Sequence, residues 1–179
     1  MKITFWGAAQ EVTGSMHAIE VGNETHLLEC GLLQGHRREA FEINSHLPFA
    51  TSSIRSVVLS HAHLDHSGNL PTLIRNGFSG RIHSTPATAE LCQYMLADSA
   101  HLQEKDAAFI EKRNARRRAV GIADQSVPVP PLYTLADAEN AAKHFDTCVL
   151  DEKKTIGDGL QIELHNAGHI LGSAFVLLE

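Results

Sequence analysis

A short apolar run, Val57-Val58-Leu59-Ser60, passes without a break into His61-Ala62-His63-Leu64-Asp65-His66. No other feature constrains the fold as much as this junction. A short apolar run of this kind reads as a buried strand. Here the strand ends in three imidazoles and a carboxylate, side chains that deliver nitrogen and oxygen ligands to metal ions. His61 and His63 are two apart, so in extended geometry they share one side. Asp65 and His66 are adjacent and point apart in that geometry, so one of them is expected to reach a second ion. Imidazole suits zinc, and the carboxylate suits a harder ion or a bound water. The competing reading is a polar loop with surplus histidines.

A second segment, Ala167-Gly168-His169-Ile170-Leu171-Gly172-Ser173-Ala174, places one histidine in a glycine-flanked break between two strand patterns. Flanking glycines let a backbone approach an ion closely. His61, His63 and His169 together would give three nitrogen ligands and one open position, the arrangement of a catalytic rather than a structural zinc. Asp65 and His66 would then begin a second site.

The chain has 179 residues, enough for one good-sized core, and a net charge of -6 that argues against a wholly basic nucleic-acid coat. Cys30, Cys92 and Cys148 are odd in number and form no CxxC pair, which favours reduced core cysteines and a cytoplasmic protein. Met1-Lys2-Ile3-Thr4-Phe5-Trp6 runs straight into a strand pattern, and no apolar stretch reaches transmembrane length. No membrane partner is expected.

Strands are expected over residues 2–6, 16–21 and 25–29, the last two joined by a hairpin at Gly22-Asn23. A short helix follows at 36–43, then the strand at 57–59. Asn69, Pro71, Leu70, Leu73, Ile74 and Gly77 mark a capped helix. A strand at 81–84 leads into a helix opened by Thr85-Pro86. A second, more charged helix is expected over 101–119, a proline-containing loop over 121–131 and a short helix over 135–144. Strands at 147–150, 160–164 and 174–178 complete the chain, with a Gly157-Asp158-Gly159 turn between the first two. An antiparallel start followed by alternating strands and helices predicts an α/β sheet with helices packed on one face.

The motif His61-Ala62-His63-Leu64-Asp65-His66 resembles the HxHxDH signature of the metallo-β-lactamase fold. Gly7-Ala8-Ala9-Gln10-Glu11-Val12-Thr13-Gly14-Ser15, Leu28-Glu29-Cys30-Gly31 with Gln34-Gly35, and the 167–174 segment resemble its β-CASP branch of RNA-processing nucleases. The resemblance runs from Phe5 to the C-terminus. It implies an αββα sandwich and a dinuclear zinc site whose bridging hydroxide attacks the phosphorus of an RNA substrate. By motif, His61, His63 and His169 would hold one zinc and Asp65 and His66 the other, the last two acting as catalytic residues.

Two departures modify these expectations. Glu29 stands where the family usually carries aspartate in a role that steadies the metal loop. The family's bridging aspartate, its β-CASP insert and its later histidines have no counterpart here. Residues 1–179 are therefore expected to be the N-terminal half of a metallo-β-lactamase domain, holding one ion more readily than two and cleaving RNA poorly on its own. The alternatives are a small-substrate hydrolase of the same fold, acting on a thioester or lactam, and a non-catalytic metal-binding fragment. If each half supplies one sheet, Val57, Leu59, Ile162, Leu164, Phe175 and Leu177 would form an open apolar face, which predicts a homodimer. The basic run Lys112-Arg113-Asn114-Ala115-Arg116-Arg117-Arg118 is read as a solvated helix face, with phosphate binding as the alternative. Trp6 and Phe5 are read as core anchors, and His165 as a surface or packing residue.

Overall fold

The computed structural model describes residues 1–121 and 129–179. Strands β1 (Lys2–Phe5), β2 (His17–Val21) and β3 (Glu24–Leu28) form an antiparallel meander. Gly22, at φ 56°, closes the expected β2–β3 hairpin. β4 (Ile54–Val58), β5 (Arg81–Ser84) and β6 (Phe145–Thr147) then add in parallel, giving a six-stranded sheet in the order β1-β2-β3-β4-β5-β6. Parallel neighbours need crossovers, and helices supply them. These are α1 (Arg37–Ser45), α2 (Leu64–Ser67), α3 (Leu70–Arg75), α4 (Pro86–Ala119) and α5 (Leu135–Ala142).

The helices cover one face of this sheet. Leu27, Val57, Leu59 and Ile82 meet Leu73, Cys92, Leu96, Ala138 and Ala141 in a single buried cluster. The opposite face packs against a second sheet of β7 (Lys154–Gly157), β8 (Leu160–Asn166) and β9 (Ala174–Leu178), all antiparallel. Ile19 and Val58 from the first sheet meet Ile156, Leu160, Ile162, Leu164 and Ala174 from the second. Burying each isoleucine, leucine or valine side chain of this set contributes roughly 1.5–3 kcal/mol of transfer free energy. The layering is helix, sheet, sheet, as expected for part of an αββα sandwich.

Several expectations are corrected. The chain supplies strands to both sheets rather than to one. Val57, Leu59, Ile162 and Leu164 are therefore buried by the chain itself, and only Phe175 and Leu177 of the expected open face are exposed. The two helices expected at 85 onward and at 101–119 are one 34-residue helix, α4. No glycine or proline interrupts Ser99-Ala100-His101-Leu102, so nothing ends the helix there. The strand expected at 147–150 is shifted: β6 ends at Thr147, and Val149 and Leu150 are exposed. The strand that the Gly157-Asp158-Gly159 turn joins to β8 is β7, whose sequence Lys-Thr-Ile-Gly carries a single aliphatic residue and gives almost no apolar signal. Phe5 is exposed rather than a core anchor, whereas Trp6 stacks on Phe49 at 4.5 Å. Residues 122–128 of the expected proline-containing loop lie outside the described residues.

Parallel pairing aligns the carboxyl ends of β3, β4 and β5, with Leu28 opposite Val58 and Val58 opposite His83. Loops leaving these ends gather at one rim of the sheet, where α/β proteins place their ligands.

Candidate metal centre

β4 carries the histidine segment to that rim. Leu59 N–H still bonds the His83 carbonyl at 2.9 Å, so the sheet register governs the position of His61 two residues later. His61 is buried, and its Nδ1 lies 2.8 Å from Ser60 Oγ. His63 caps α2 from an extended conformation, φ -59° and ψ 144°. His169 arrives from the turn between β8 and β9.

The three imidazoles converge. His61 Nε2 is 3.1 Å from His63 Nδ1, and His169 Nε2 is 3.3 Å from the same atom. The three ring centroids form a nearly equilateral triangle, 4.9, 5.0 and 5.0 Å apart. One ligand atom from each lies within 4.8 Å of the others. A single ring nitrogen has one in-plane lone pair or one proton, so His63 Nδ1 cannot satisfy both neighbours by hydrogen bonding. Three nitrogens facing a common point suit a cation. The Ser60 contact leaves His61 Nε2 as the inward donor, the second-sphere arrangement usual for a ligating histidine. Burial, then the neighbouring His66, His63 and His169, push the His61 pKa down to about 4. Neutral imidazole is the ligating form.

Asp65 and His66 lie beside this triangle, and here the extended-geometry expectation is corrected. Both residues are in α2 rather than in extended chain, and His66 Nε2 lies 3.6 Å from Asp65 Oδ2. The His66 ring packs 4.1 Å from that of His61. Among the described residues the convergent group of possible ligands contains His61, His63 and His169 and does not extend to Asp65 or His66.

Glu29 lies beneath the loop, buried and at φ 66°, a left-handed conformation that is rare for a residue of this kind. Its Oε1 accepts from Ser60 N–H at 3.0 Å, and its Oε2 faces His66 Nδ1 at 3.5 Å. Burial lowers the His66 pKa, but Glu29 and then Asp65 outweigh it and hold His66 above the ordinary imidazole value. Glutamate thus reaches both the strand end and α2.

The 29–32 segment grips α2 by its backbone. Cys30 N–H donates to His66 O and Leu32 N–H to Leu64 O, both at 2.8 Å. Ser15 N–H donates to Asp65 O at 2.8 Å, which puts the end of the 7–15 loop against the histidine loop. A Cβ at Gly31 would lie 1.7 Å from Asp65 O, so only glycine fits there. The 7–15 loop also borders a cavity of about 560 Å³ lined by Trp6, Met16, Gly31 and Asn69.

Other residues follow the sequence reading or lie outside it. His165 packs on Phe175 at 4.9 Å and bonds Asp151 at 2.7 Å, away from the triad. Lys112, Arg116, Arg117 and Arg118 are exposed near the far end of α4, and among the described residues no carboxylate pairs with them. Sequence reasoning missed Ser60, Thr85, Thr88 and Ser173, which hold the histidine-bearing segments by hydroxyl contacts. The available signal was a hydroxyl residue beside a strand terminus or at a helix start, which is too common to single out.

No protein-family model matches the chain. Ribonuclease TTHA0252 of Thermus thermophilus is 33% identical over 181 residues, covering 100% of this chain and 35% of its own length. Transcription termination factor FttA of Methanocaldococcus jannaschii is 29% identical over 179 residues, covering 100% of this chain and 25% of its own length. The chain thus spans about a third and a quarter of the length of these relatives. Among solved structures, the subclass B3 metallo-β-lactamase MEM-A1 from a soil metagenome library superposes with a TM-score of 0.52 at 16% identity, covering 93% of this chain and 51% of that one. Similarity along the whole chain to these relatives, with the architecture shared with MEM-A1, gives this protein the metallo-β-lactamase fold and a likeness to the β-CASP nucleases.

Proposed function

We propose that this chain forms part of a metal-dependent phosphodiesterase that cleaves RNA. The convergence of His61, His63 and His169 carries the reading, in a chain whose relatives are named a ribonuclease and a transcription termination factor. Three imidazoles with an open position suit zinc. When bound there, such an ion supplies Lewis acidity and acidifies a coordinated water.

The chain's own residues do the positioning. Ser60 turns His61 Nε2 inward, and Glu29 holds His66 against the strand end. Asp65 and His66 border the triad, and we assign them to a second ion and to catalysis once further ligands are present. With the triad as the one convergent set among the described residues, one tightly held ion per chain is expected. The small-substrate hydrolase reading draws on likeness of fold alone, and fold does not set substrate.

Metal analysis together with cleavage of end-labelled RNA tests the proposal. The expected result is one zinc per chain and weak metal-dependent cleavage that His63→Ala removes. Cleavage that survives both His63→Ala and chelation would sink it. Hydrolysis of a lactam or thioester without RNA cleavage would favour the second reading.

Self-association keeps a narrower basis than the sequence suggested: exposed Phe175 and Leu177 on β9, which pairs with β8 alone. Sedimentation at micromolar concentration measures it. A cytoplasmic location draws support from three free, buried cysteines. No helix among the described residues is long and apolar enough to cross a membrane.

A further inference from the structure

His169 is exposed, and its ring contacts are to His61 and His63. Its position must therefore come from the backbone of the β8–β9 turn. Ser173 holds one side of that turn, its Oγ accepting from the N–H groups of His169 at 3.0 Å and Ile170 at 3.1 Å. Ala174 N–H donates to Ser60 O at 2.8 Å, one residue before His61.

The other side is gripped by the start of α4. Thr85 and Thr88 are buried, and both hydroxyls donate to the carbonyl oxygen of Gly172, at 2.6 and 2.9 Å. Thr85 Oγ1 also accepts from Thr88 N–H at 3.3 Å, which caps the helix. The cap needs only Thr85, and packing at position 88 needs only a β-branched shape. The Thr88 hydroxyl is required by neither, yet it meets Gly172. Gly172 itself sits at φ 78°, and a Cβ there would lie 2.6 Å from Thr88 N. Glycine at this point allows the carbonyl to come within reach of both hydroxyls.

We propose that Thr85 and Thr88 are positioning residues for the metal centre. Through Gly172 they hold the β8–β9 turn where His169 Nε2 meets His61 and His63. The proposal rests on the metal-binding reading of the triad. Thr88→Val removes the hydroxyl while keeping the shape and the helix cap.

The test uses the 179-residue chain, with Zn²⁺ affinity measured by competition with a chromophoric chelator. Co²⁺ ligand-field absorption and the metal-free melting temperature are recorded beside it. Thr88→Val should weaken Zn²⁺ binding about 10-fold or more and alter the Co²⁺ spectrum, the size usual for partners that orient a ligand. Thr88→Ser, which restores the hydroxyl, should return affinity to within about twofold of the parent, well inside that range. The metal-free melting temperatures should change little.

If Thr88→Val lowers the melting temperature while leaving affinity and spectrum unchanged, the role is structural and the proposal is overturned. Gly172→Ala, confined to the turn, should reproduce the loss of affinity if Thr88→Val does not fold. Unchanged affinity in Gly172→Ala would equally overturn the clamp. His169→Ala serves as the reference: if it too leaves Zn²⁺ affinity intact, the metal-binding reading itself has failed, and the clamp with it.

Discussion

Two sets of inward-facing histidines differ in what their nitrogens meet. At the rim, His61, His63 and His169 offer nitrogens to one another across 3.1 and 3.3 Å, with no separate partner for each. Between the sheets, His26 and His83 each have polar neighbours of their own, although His26 Nε2 and His83 Nδ1 find no hydrogen-bond partner among the described residues. His26 Nδ1 bonds Ser56 Oγ at 2.7 Å, and His83 Nδ1 faces Asp146 Oδ2 at 3.4 Å. Asp146 is in turn held by Lys154 at 2.7 Å, and Gly157 of β7 leaves room for the His26 ring. Burial lowers the pKa of His83 to about 4 and also lowers that of His26, as it does for His61. A depressed pKa therefore does not separate the two sets. Convergence of lone pairs does, and it separates a candidate cation site from a structural seam.

The largest effect that should divide them is on metal. His63→Ala or His169→Ala should weaken zinc binding by at least about 100-fold, roughly the loss of one of three ligands. Neither should lower metal-free stability much, because His63 and His169 are not core residues. Isothermal titration beside a melting curve checks both halves. Equal zinc affinity in parent and variants would erase the distinction.

His83→Ala should behave in the opposite way. It leaves a cavity in the seam and removes the partner of Asp146, at a cost of about 2 kcal/mol. Zinc affinity should stay at the parent value. Urea unfolding followed by zinc titration tests this, and a drop in both would mean that seam and rim are coupled.

Acid should act on both sets, because burial depresses the pKa of His83, His26 and His61 alike. The folded protein holds His83 near pKa 4, below the 6.5 of an unperturbed histidine, so the unfolded chain binds the proton more readily. Stability is then full above about pH 6.5 and falls as the pH drops toward 4. His66 works with the opposite sign: its raised folded pKa favours folding at low pH, and that contribution is lost as pH rises through its folded value. Chemical denaturation of the metal-free chain from pH 7 to 4 measures the sum. His83→Gln should flatten the acid loss, and an unchanged slope would remove His83 from the account.

The smallest effect concerns Glu29. Glu29→Gln keeps an oxygen for Ser60 N–H but removes the charge facing His66. The His66 titration should move downward, with a stability change of about 1 kcal/mol. NMR titration of the imidazole reads it directly, and an unmoved pKa would show that Glu29 does not govern His66.

The histidines that converge at the rim were legible from sequence because their chemistry is carried by residue type and spacing. His61 and His63 follow a strand, His169 sits between glycines, and the motif resemblance ties them together. The early strands and the Gly22 hairpin were legible too, since apolar alternation and turn residues are local signals. Three things were decided only by the tertiary structure. β7 carries one aliphatic residue, so only pairing with β8 makes it a strand. The fate of Val57, Leu59, Ile162 and Leu164 depended on whether one chain could bring two sheets face to face. The grip of Thr85 and Thr88 on Gly172 joins residues 87 and 84 positions apart. Hydroxyl residues are common at helix starts, and nothing local says which carbonyl one will meet. Periodicity and composition report what a segment can bury or bind, whereas long-range pairing is settled by how the buried faces fit together.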